Sequence, residues 1–337
     1  GRRASALGKK DPTVEPDLRN LVAGHTGGSP MGGPKWVRRS LRHLSEDLGK
    51  KGHQACPNTV RRLLHKQNFA LRANIKRLSG KPNRDRDRQF HHIQLQREAF
   101  TAARLPVLSL DSKKKELVGN FKNAGVGWCQ EAQAVNTYDF PSDAEYRASI
   151  QGIHDVNRNR GMVAVGRSAD TGEFVVDCLD HWWREEGRVA YPDAKRILIL
   201  ADGGGSNGHR PRLFKWCLQQ FANLWSIAVT VCHFATGASK WNPIEHRLFS
   251  YISINWAAQP LRSTDTLLSC IRGTTTTTGL RVRAWFCTRT YRTKIKITDV
   301  QMESVNLRPL AICPAWSYTI SPVPNRRGPM VPSILRR

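Results

Sequence analysis

Apolar residues follow two rhythms along this chain. Between Trp36 and Gly49 they recur at Val37, Leu41, Leu44 and Leu48, the spacing that gathers them on one face of a helix. Gly52 ends that helix. Pro57–His65 follows as a second, with Val60, Leu63 and Leu64 facing inward and Asn58, Thr59, Arg61, Arg62 and Lys66 facing out. Further along, Pro106–Asp111, Arg196–Asp202 and residues 227–233 are short, nearly unbroken apolar runs, the mark of strands buried on both faces. Strands are also expected at about 117–122 and 161–167. Helical spacing lies between and after them, at about Thr171–Glu186, 211–223 and 243–257. The first of these carries Trp182 and Trp183, expected as one core ring and one half-exposed ring. Gln89–Ala103 reads as a helix bridging into the core. Helices alternating with buried strands predict an α/β fold.

The same pattern divides the chain. Residues 1–34, rich in Gly, Pro and charge, read as a flexible basic lead. Residues 35–80 hold the two short helices. Residues 81–105 open on the charged stretch Lys81–Arg88 and form a linker and bridging helix. The core runs from 106 to 320, its mixed last part (258–320) including the threonine run Thr274–Thr278. Residues 321–337 are Pro- and Arg-rich and read as a disordered basic tail. Two short helices about a tight turn, the second basic and polar, fit a helix-turn-helix. An ordinary surface hairpin of helices has the same periodicity, and the local charge favours DNA.

Charge sharpens this picture. The 337 residues carry a formal net charge of +26, with a pI of about 10.4, which calls for a polyanionic partner, nucleic acid first. The excess is densest at the start: residues 1–105 hold 23 Lys and Arg against 8 Asp and Glu, and residues 106–337 hold 30 against 19. The eight cysteines are scattered without a C-x-x-C pair, which speaks against a zinc module and for reduced thiols in a cytosolic protein. No apolar run approaches the ~20 residues of a membrane span, and no signal peptide is visible. The expected setting is cytoplasmic and nucleoid-associated, without a membrane. The chain begins with Gly1 rather than Met, as a fragment would.

Three carboxylates carry the candidate chemistry. Asp111 and Asp202 each end an apolar strand, and Glu245 opens a helix in Ser239-Lys-Trp-Asn-Pro-Ile-Glu-His246. No Asp or Glu lies between Asp202 and Glu245. Cutting a phosphodiester needs an oxygen nucleophile activated in line with the leaving oxygen, work that two magnesium ions ~3.5–4 Å apart perform. Such hard ions take carboxylate oxygens and few other protein ligands. Asp111, on the central strand, is expected to bridge two Mg2+ (or Mn2+) ions, with Asp202 and Glu245 holding one each.

Plainer readings stand beside this one. A lone Asp at a strand end is ordinarily a turn or cap residue. Asn242-Pro-Ile-Glu245 is a capping-box pattern, which is compatible with a metal role. Gly203-Gly-Gly-Ser-Asn-Gly208 matches G-x-G-x-x-G between a strand and a helix, the setting of a dinucleotide site. That site wants an acid ~20 residues further on, and none precedes Glu245. Around the carboxylates, Lys113, Lys114, Asn207, Arg210 and Lys240 are candidate DNA contacts, and Asn58, Thr59, Arg61, Arg62 and Lys66 are those of the helix pair. Lys115, His209 and Trp241 are weaker candidates, and His233 reads as a core histidine.

At these residues the chain resembles a known family, the bacterial insertion-sequence transposases with a DDE catalytic domain of the Rhodopirellula transposase type. The matching blocks are Leu110–Asn123, Ala201–Gly208, Ser239–Ser250 and Trp316–Ile320, with weaker similarity over most of 8–320. The Asn-Pro-Ile-Glu piece is shared with mariner-like transposases. The resemblance implies an RNase H-like core, a mixed sheet flanked by helices, preceded by the small helical DNA-binding region. It also implies Asp111, Asp202 and Glu245 as the metal-binding triad, with cleavage at insertion-sequence ends and strand transfer by the freed 3′-hydroxyl. The partners it implies are double-stranded DNA, as inverted-repeat ends and target, and further copies of the chain on that DNA.

The chain departs from the family at several points. A further helical DNA-binding segment usual before Gly1 is missing, and Arg147–Asp155 lacks an expected Pro-Tyr-Gly. Phe234–Ala238 replaces a Pro-Pro-Gly-Thr-like turn, Pro243 stands for a usual Lys, and Ala257-Ala258 for Arg-Gly. These departures predict a copy that binds or nicks DNA but transposes poorly. The other classes left open are a non-catalytic DNA-binding relic that represses transposition and an RNase H-like nuclease without strand transfer.

Overall fold

A computed structural model of the chain describes residues 11–24, 26–27, 36–37, 39–72 and 85–323. They fall into two units, within 1–78 and 79–337. In the first, α1 (Val14–Gly24) leads to a two-residue antiparallel pairing of β1 (Thr26–Gly27) with β2 (Trp36–Val37), then α2 (Leu41–Lys50) and α3 (Pro57–Lys66). Ser40 caps α2, its hydroxyl accepting from the His43 N–H at 3.2 Å. Pro57 starts α3, where its missing N–H is harmless. Val14, Leu18 and Val22 of α1 pack on Leu44, Leu48, Val60, Leu63 and Leu64. The lead expected to be flexible through residue 34 therefore contains a helix. Its apolar residues are four apart, a spacing obscured by Pro16 and the surrounding charges. Gly52, at φ +89°, turns the chain between α2 and α3, and the candidate helix-turn-helix becomes the last two of the three helices among this unit's described residues.

The second unit opens with α4 (Arg86–Ala102). Its sheet runs β8-β5-β4-β3-β6-β7-β10-β9. β3 (Val107–Val118), β4 (Tyr146–Asp155) and β5 (Arg160–Gly166) form an antiparallel meander. β6 (Arg196–Ala201) lies parallel to β3, and β7 (Ala228–His233) parallel to β6. α5 (Gly172–Trp182) and α6 (Arg212–Trp225) connect the later strands. Three antiparallel strands continued by parallel ones, with β3 central and helices on both faces, make the expected RNase H-like core. β8 (Arg281–Cys287) extends it beyond β5, and β10 (Ser317–Ile320) and β9 (Leu307–Pro309) extend it beyond β7.

Two strand expectations are corrected. Residues 106–111 and 117–122 are not separate strands: β3 runs through Lys113-Lys-Lys-Glu116, where its register with β4 shifts. β4 itself was not foreseen, because Gln151, His154 and Asp155 are polar yet buried, which erases the alternation that betrays a strand.

One sheet face carries α5 and α6, with Phe174, Leu179, Trp182, Phe214 and Phe221 fully buried against Leu108, Leu110, Ile197 and Ile199. Trp183 is also buried, so neither tryptophan of that helix is half-exposed. On the other face, Ile93 and Phe100 of α4 cover Val107, Leu198 and Leu200. Beside them a helix entered at Glu245, continued by α7 (Ser250–Asn255), joins α8 (Thr264–Arg272) over Ile150, Val163 and Val165. Side chains alternate along a strand, so Asp111 shares this second face with Val107 and Ser109.

Candidate active site

The parallel register of β3 and β6 sets Leu110 opposite Ala201. The next residues, Asp111 and Asp202, therefore stand side by side on strands about 4.7–4.9 Å apart. Glu245 arrives from a different direction. Its helix opens with a π turn, Glu245–Phe249, a geometry that recurs at functional sites. Room for this helix comes from Gly152, which pairs with Asp111 across β3 and β4. A Cβ on Gly152 would lie 2.6 Å from Phe249 Cε1 and 2.9 Å from Ile244 Cδ1, and one on Gly161 would lie 2.6 Å from Leu248 Cδ1. The two glycines form the groove that seats the Glu245 helix beside the strand tips.

The charges of Asp202 and Glu245 bear on Asp111, and that of Glu245 bears on Asp202. Burial pushes Asp111 up to about 8, with the charges of Asp202 and then Glu245 adding, against the Ser112 N–H that donates to its Oδ1 at 2.8 Å. Burial also pushes Asp202 up to about 6; Asn242 opposes the shift and the Glu245 charge adds to it. Like charges brought together in a half-buried place are a common sign of a working site.

Asn242 ties this end of the sheet together. It is fully buried. Its Nδ2 donates to Leu110 O at 3.1 Å and to Asp202 Oδ1 at 3.2 Å, and its Oδ1 accepts from the Ser109 hydroxyl. The same Ser109 oxygen accepts from the Ile244 N–H at 3.0 Å. The capping box expected at Asn242–Glu245 is not formed: the Asn242 side chain is engaged by Ser109, Leu110 and Asp202 instead. His233 is fully buried, its pKa pushed down to about 3 by that burial. Its Nδ1 donates to Asp202 O at 2.9 Å, and its Nε2 lies 3.3 Å from the Tyr318 hydroxyl, so the core reading of this histidine holds.

The glycine loop serves the chain's own packing. A Cβ on Gly203 would lie 2.9 Å from Phe234 O, one on Gly208 would lie 2.9 Å from Gly203 O, and Gly205 has φ +75°. His209 Nδ1 donates to Gly203 O at 2.7 Å, and the Ser206 hydroxyl to Asp170 Oδ1 at 2.7 Å.

The candidate contacts near the carboxylates divide by exposure. Lys114, Lys115, Arg210 and Lys240 are exposed. Lys240 Nζ lies 5.5 Å over the ring of Trp241, which is 56% exposed and edge-on to Phe90. Lys113 is turned inward instead, 2.9 Å from Glu116 and 4.7 Å over the Trp256 ring. Asn207, expected at DNA, is buried, with Nδ2 donating to Leu110 O at 3.4 Å. Sequence reasoning passed over Arg247, which is exposed two residues beyond Glu245. Of the helical unit's candidates, Asn58, Arg61 and Arg62 are exposed, Thr59 is half-buried, and Lys66 is ion-paired with Glu15.

Among the described residues, no group of three His, Cys, Asp or Glu side chains already stands in a geometry that could hold a metal ion. The donor chemistry of Asp111, Asp202 and Glu245 nevertheless fits a hard divalent cation. All three offer carboxylate oxygens, and the burial that raises the two aspartates, with the neighbouring acids' charges added, disfavours a negative charge that a cation would offset. No helix among the described residues is long and apolar enough to cross a membrane.

The family described as Rhodopirellula transposase DDE domain matches residues 17–322. A search of curated proteins gave no match. Among solved structures, the chain is similar to a Mos1 transposase paired-end complex with left transposon end, at 13% identity and TM-score 0.43, covering 75% of this chain and 68% of that one. It is also similar to a Mos1 strand transfer complex, at 14% identity and TM-score 0.42, covering 75% and 67%. A third likeness is to a Mos1 mariner paired-end complex with Mn, at 12% identity and TM-score 0.40, covering 79% and 70%. None reaches a TM-score of 0.5, so the identification rests on the family match.

Proposed function

The chain belongs to the family of the Rhodopirellula transposase DDE domain, enzymes of DNA cleavage and strand transfer, and on that footing we propose that Asp111, Asp202 and Glu245 form its catalytic centre. The observation that carries the proposal is the parallel register that sets Asp111 beside Asp202, with Glu245 close enough for its charge to act on both. In this reading the three side chains hold two divalent ions, Mg2+ or Mn2+. When bound, such ions supply an activated water or 3′-hydroxyl and stabilise the leaving oxygen.

The chain's own residues do the rest. Asn242 and His233 fix Asp202 through its carboxylate and its backbone. Gly152 admits the helix that brings Glu245. Lys240, Arg247 and Lys114, exposed and close in sequence to the three acids, neutralise phosphates of the strand being cut. Arg61, Arg62 and Asn58 on α3 meet the inverted-repeat ends. Cleavage at the element end comes first, and the freed 3′-hydroxyl then attacks target DNA. Further copies of the chain assemble on that DNA, in the bacterial cytoplasm at the nucleoid.

The test is a nicking and joining assay on a labelled element end in Mg2+, Mn2+ or Ca2+. Mg2+ and Mn2+ should support nicking and Ca2+ should not. Asp202→Asn should abolish nicking while DNA binding persists. Full nicking by Asp202→Asn would remove this acid from the mechanism. Binding without any nicking by the unaltered chain would point to a repressor, and nicking without joining to a nuclease.

A further inference from the structure

The Ser109–Asn242 pair lies inside the carboxylate end of the sheet but belongs to none of the three acids. It is a closed polar joint. Ser109 and Asn242 are both fully buried, and each side-chain oxygen or nitrogen has a partner. The Ser109 hydroxyl donates to Asn242 Oδ1 and accepts from the Ile244 N–H; Asn242 Nδ2 donates to Leu110 O and to Asp202 Oδ1. Three segments that carry the three acids therefore meet on two side chains. Leu110 precedes Asp111, Asp202 is bound directly, and Ile244 precedes Glu245.

A cap residue would serve only its own helix. Asn242 does something different, since its amide hydrogens point at β3 and β6 and its own helix start is satisfied by a serine from β3. A buried polar network of this kind holds its members in one arrangement because any broken bond strands a polar group away from water. We propose that Asn242, with Ser109, is a positioning residue that sets the spacing of Asp202 and Glu245 about Asp111 and so sets how tightly the site takes divalent cations. This rests on the function proposed above. The amide is suited to the task because it is neutral and donates, so it fixes the Asp202 carboxylate without competing for the cation.

The experiment uses the full chain and two readouts. One is the rise of the thermal midpoint on titrating Mn2+, without DNA. The other is the Mn2+ concentration for half-maximal nicking. Asn242→Ala should need about tenfold more Mn2+ in both, with a slower rate even at saturation. Asn242→Asp, which keeps the shape but sets a fourth carboxylate against Asp202, should be worse. Should Asn242→Ala fail to fold, Ser109→Ala serves, since it leaves the Asn242 bonds to Leu110 and Asp202 and removes the Ser109 donation to Asn242 Oδ1 and the tie to the Ile244 N–H. It should shift the same two readouts by a smaller factor.

A residue that merely stabilised the fold would lower the midpoint without moving the Mn2+ dependence, and that result overturns the inference, as would wild-type behaviour. Asp202→Asn separates the two layers. If it nicks normally, the proposed function fails. If it is dead while Asn242→Ala and Ser109→Ala match the unaltered chain, only the positioning role fails.

Discussion

In the helical unit, acidic side chains are met by basic ones. Asp17 lies 2.8 Å from Lys51 and 2.9 Å from His53, Asp11 lies 2.6 Å from His53, and Asp47 lies 3.0 Å from Arg39 and 3.3 Å from Lys50. At the end of the sheet, Asp111, Asp202 and Glu245 are set against one another, and the first two are pushed above the usual carboxylate range. A chain with a net charge of +26 does not lack cations to place there. The contrast teaches that unmatched charge is informative where it is local and costly. In the helical unit each of these acids has a cation beside it, and water screens what such pairs contribute. At the sheet's end, burial makes the charged form of Asp111 and Asp202 costly, a cost that a proton or a cation relieves.

The contrast breaks most visibly at Asp111. Asp111→Asn should lower nicking by orders of magnitude and, in the absence of divalent ions, raise the thermal midpoint by about 2–4 °C, the shift of roughly 1 kcal/mol in a unit of this size. A lower midpoint would mean that the acids do not oppose folding. Gly152→Val comes next. Its side chain would collide with Phe249 and Ile244, costing about 1–3 kcal/mol by overpacking, and nicking should fall at least about tenfold as Glu245 is displaced. Nicking at the wild-type rate would show that the glycine groove does not set the Glu245 helix.

Smaller effects lie in the helical unit. Arg61→Ala and Arg62→Ala should each reduce the slope of log Kd against log salt by about 0.9 if each contacts one phosphate. Filter binding across a salt series reads this directly, and an unchanged slope would take α3 off the DNA. The smallest effect concerns His53. Asp17 and Asp11 raise its pKa above the ordinary 6.5. A group whose pKa is raised by folding stabilises fully below its unfolded value and loses that contribution as pH rises through the folded one. The helical unit should therefore become easier to cleave by protease from pH 6 to pH 9, and His53→Gln should flatten that dependence. An equal slope in both proteins would show that the imidazole is not charged between its two carboxylates.

Much of the core was legible because its central strands are buried on both faces. Leu108, Leu110, Ile197, Leu198 and Ile199 read as strand without reference to any partner, and their ends named Asp111 and Asp202. β4 was hidden for the opposite reason, its buried positions including Gln151, Gly152 and His154. The polar run after Asp111 split the expected strand in two, though Lys113 folds its charge onto Glu116 and the strand continues. Asn242 carried the wrong role, since a sequence displays a cap residue and a cross-strand tie in the same letters. Asn207 was misjudged in the same way: polarity near a loop suggested exposure, and a long-range hydrogen bond buried it.

β10 gives the site a schedule. Ser317 and Tyr318 reach back to Gln89 and His233, and His233 holds Asp202. During synthesis the three acids are all present once Glu245 has emerged, yet the strand that packs on His233 beside Asp202 arrives some seventy residues later. The Asp202 end of the sheet therefore gains its last neighbouring strand only when nearly all of the described chain has been made. A ribosome-bound chain halted after α8 should leave the Asp202 end open to protease, and one halted after β10 should protect it.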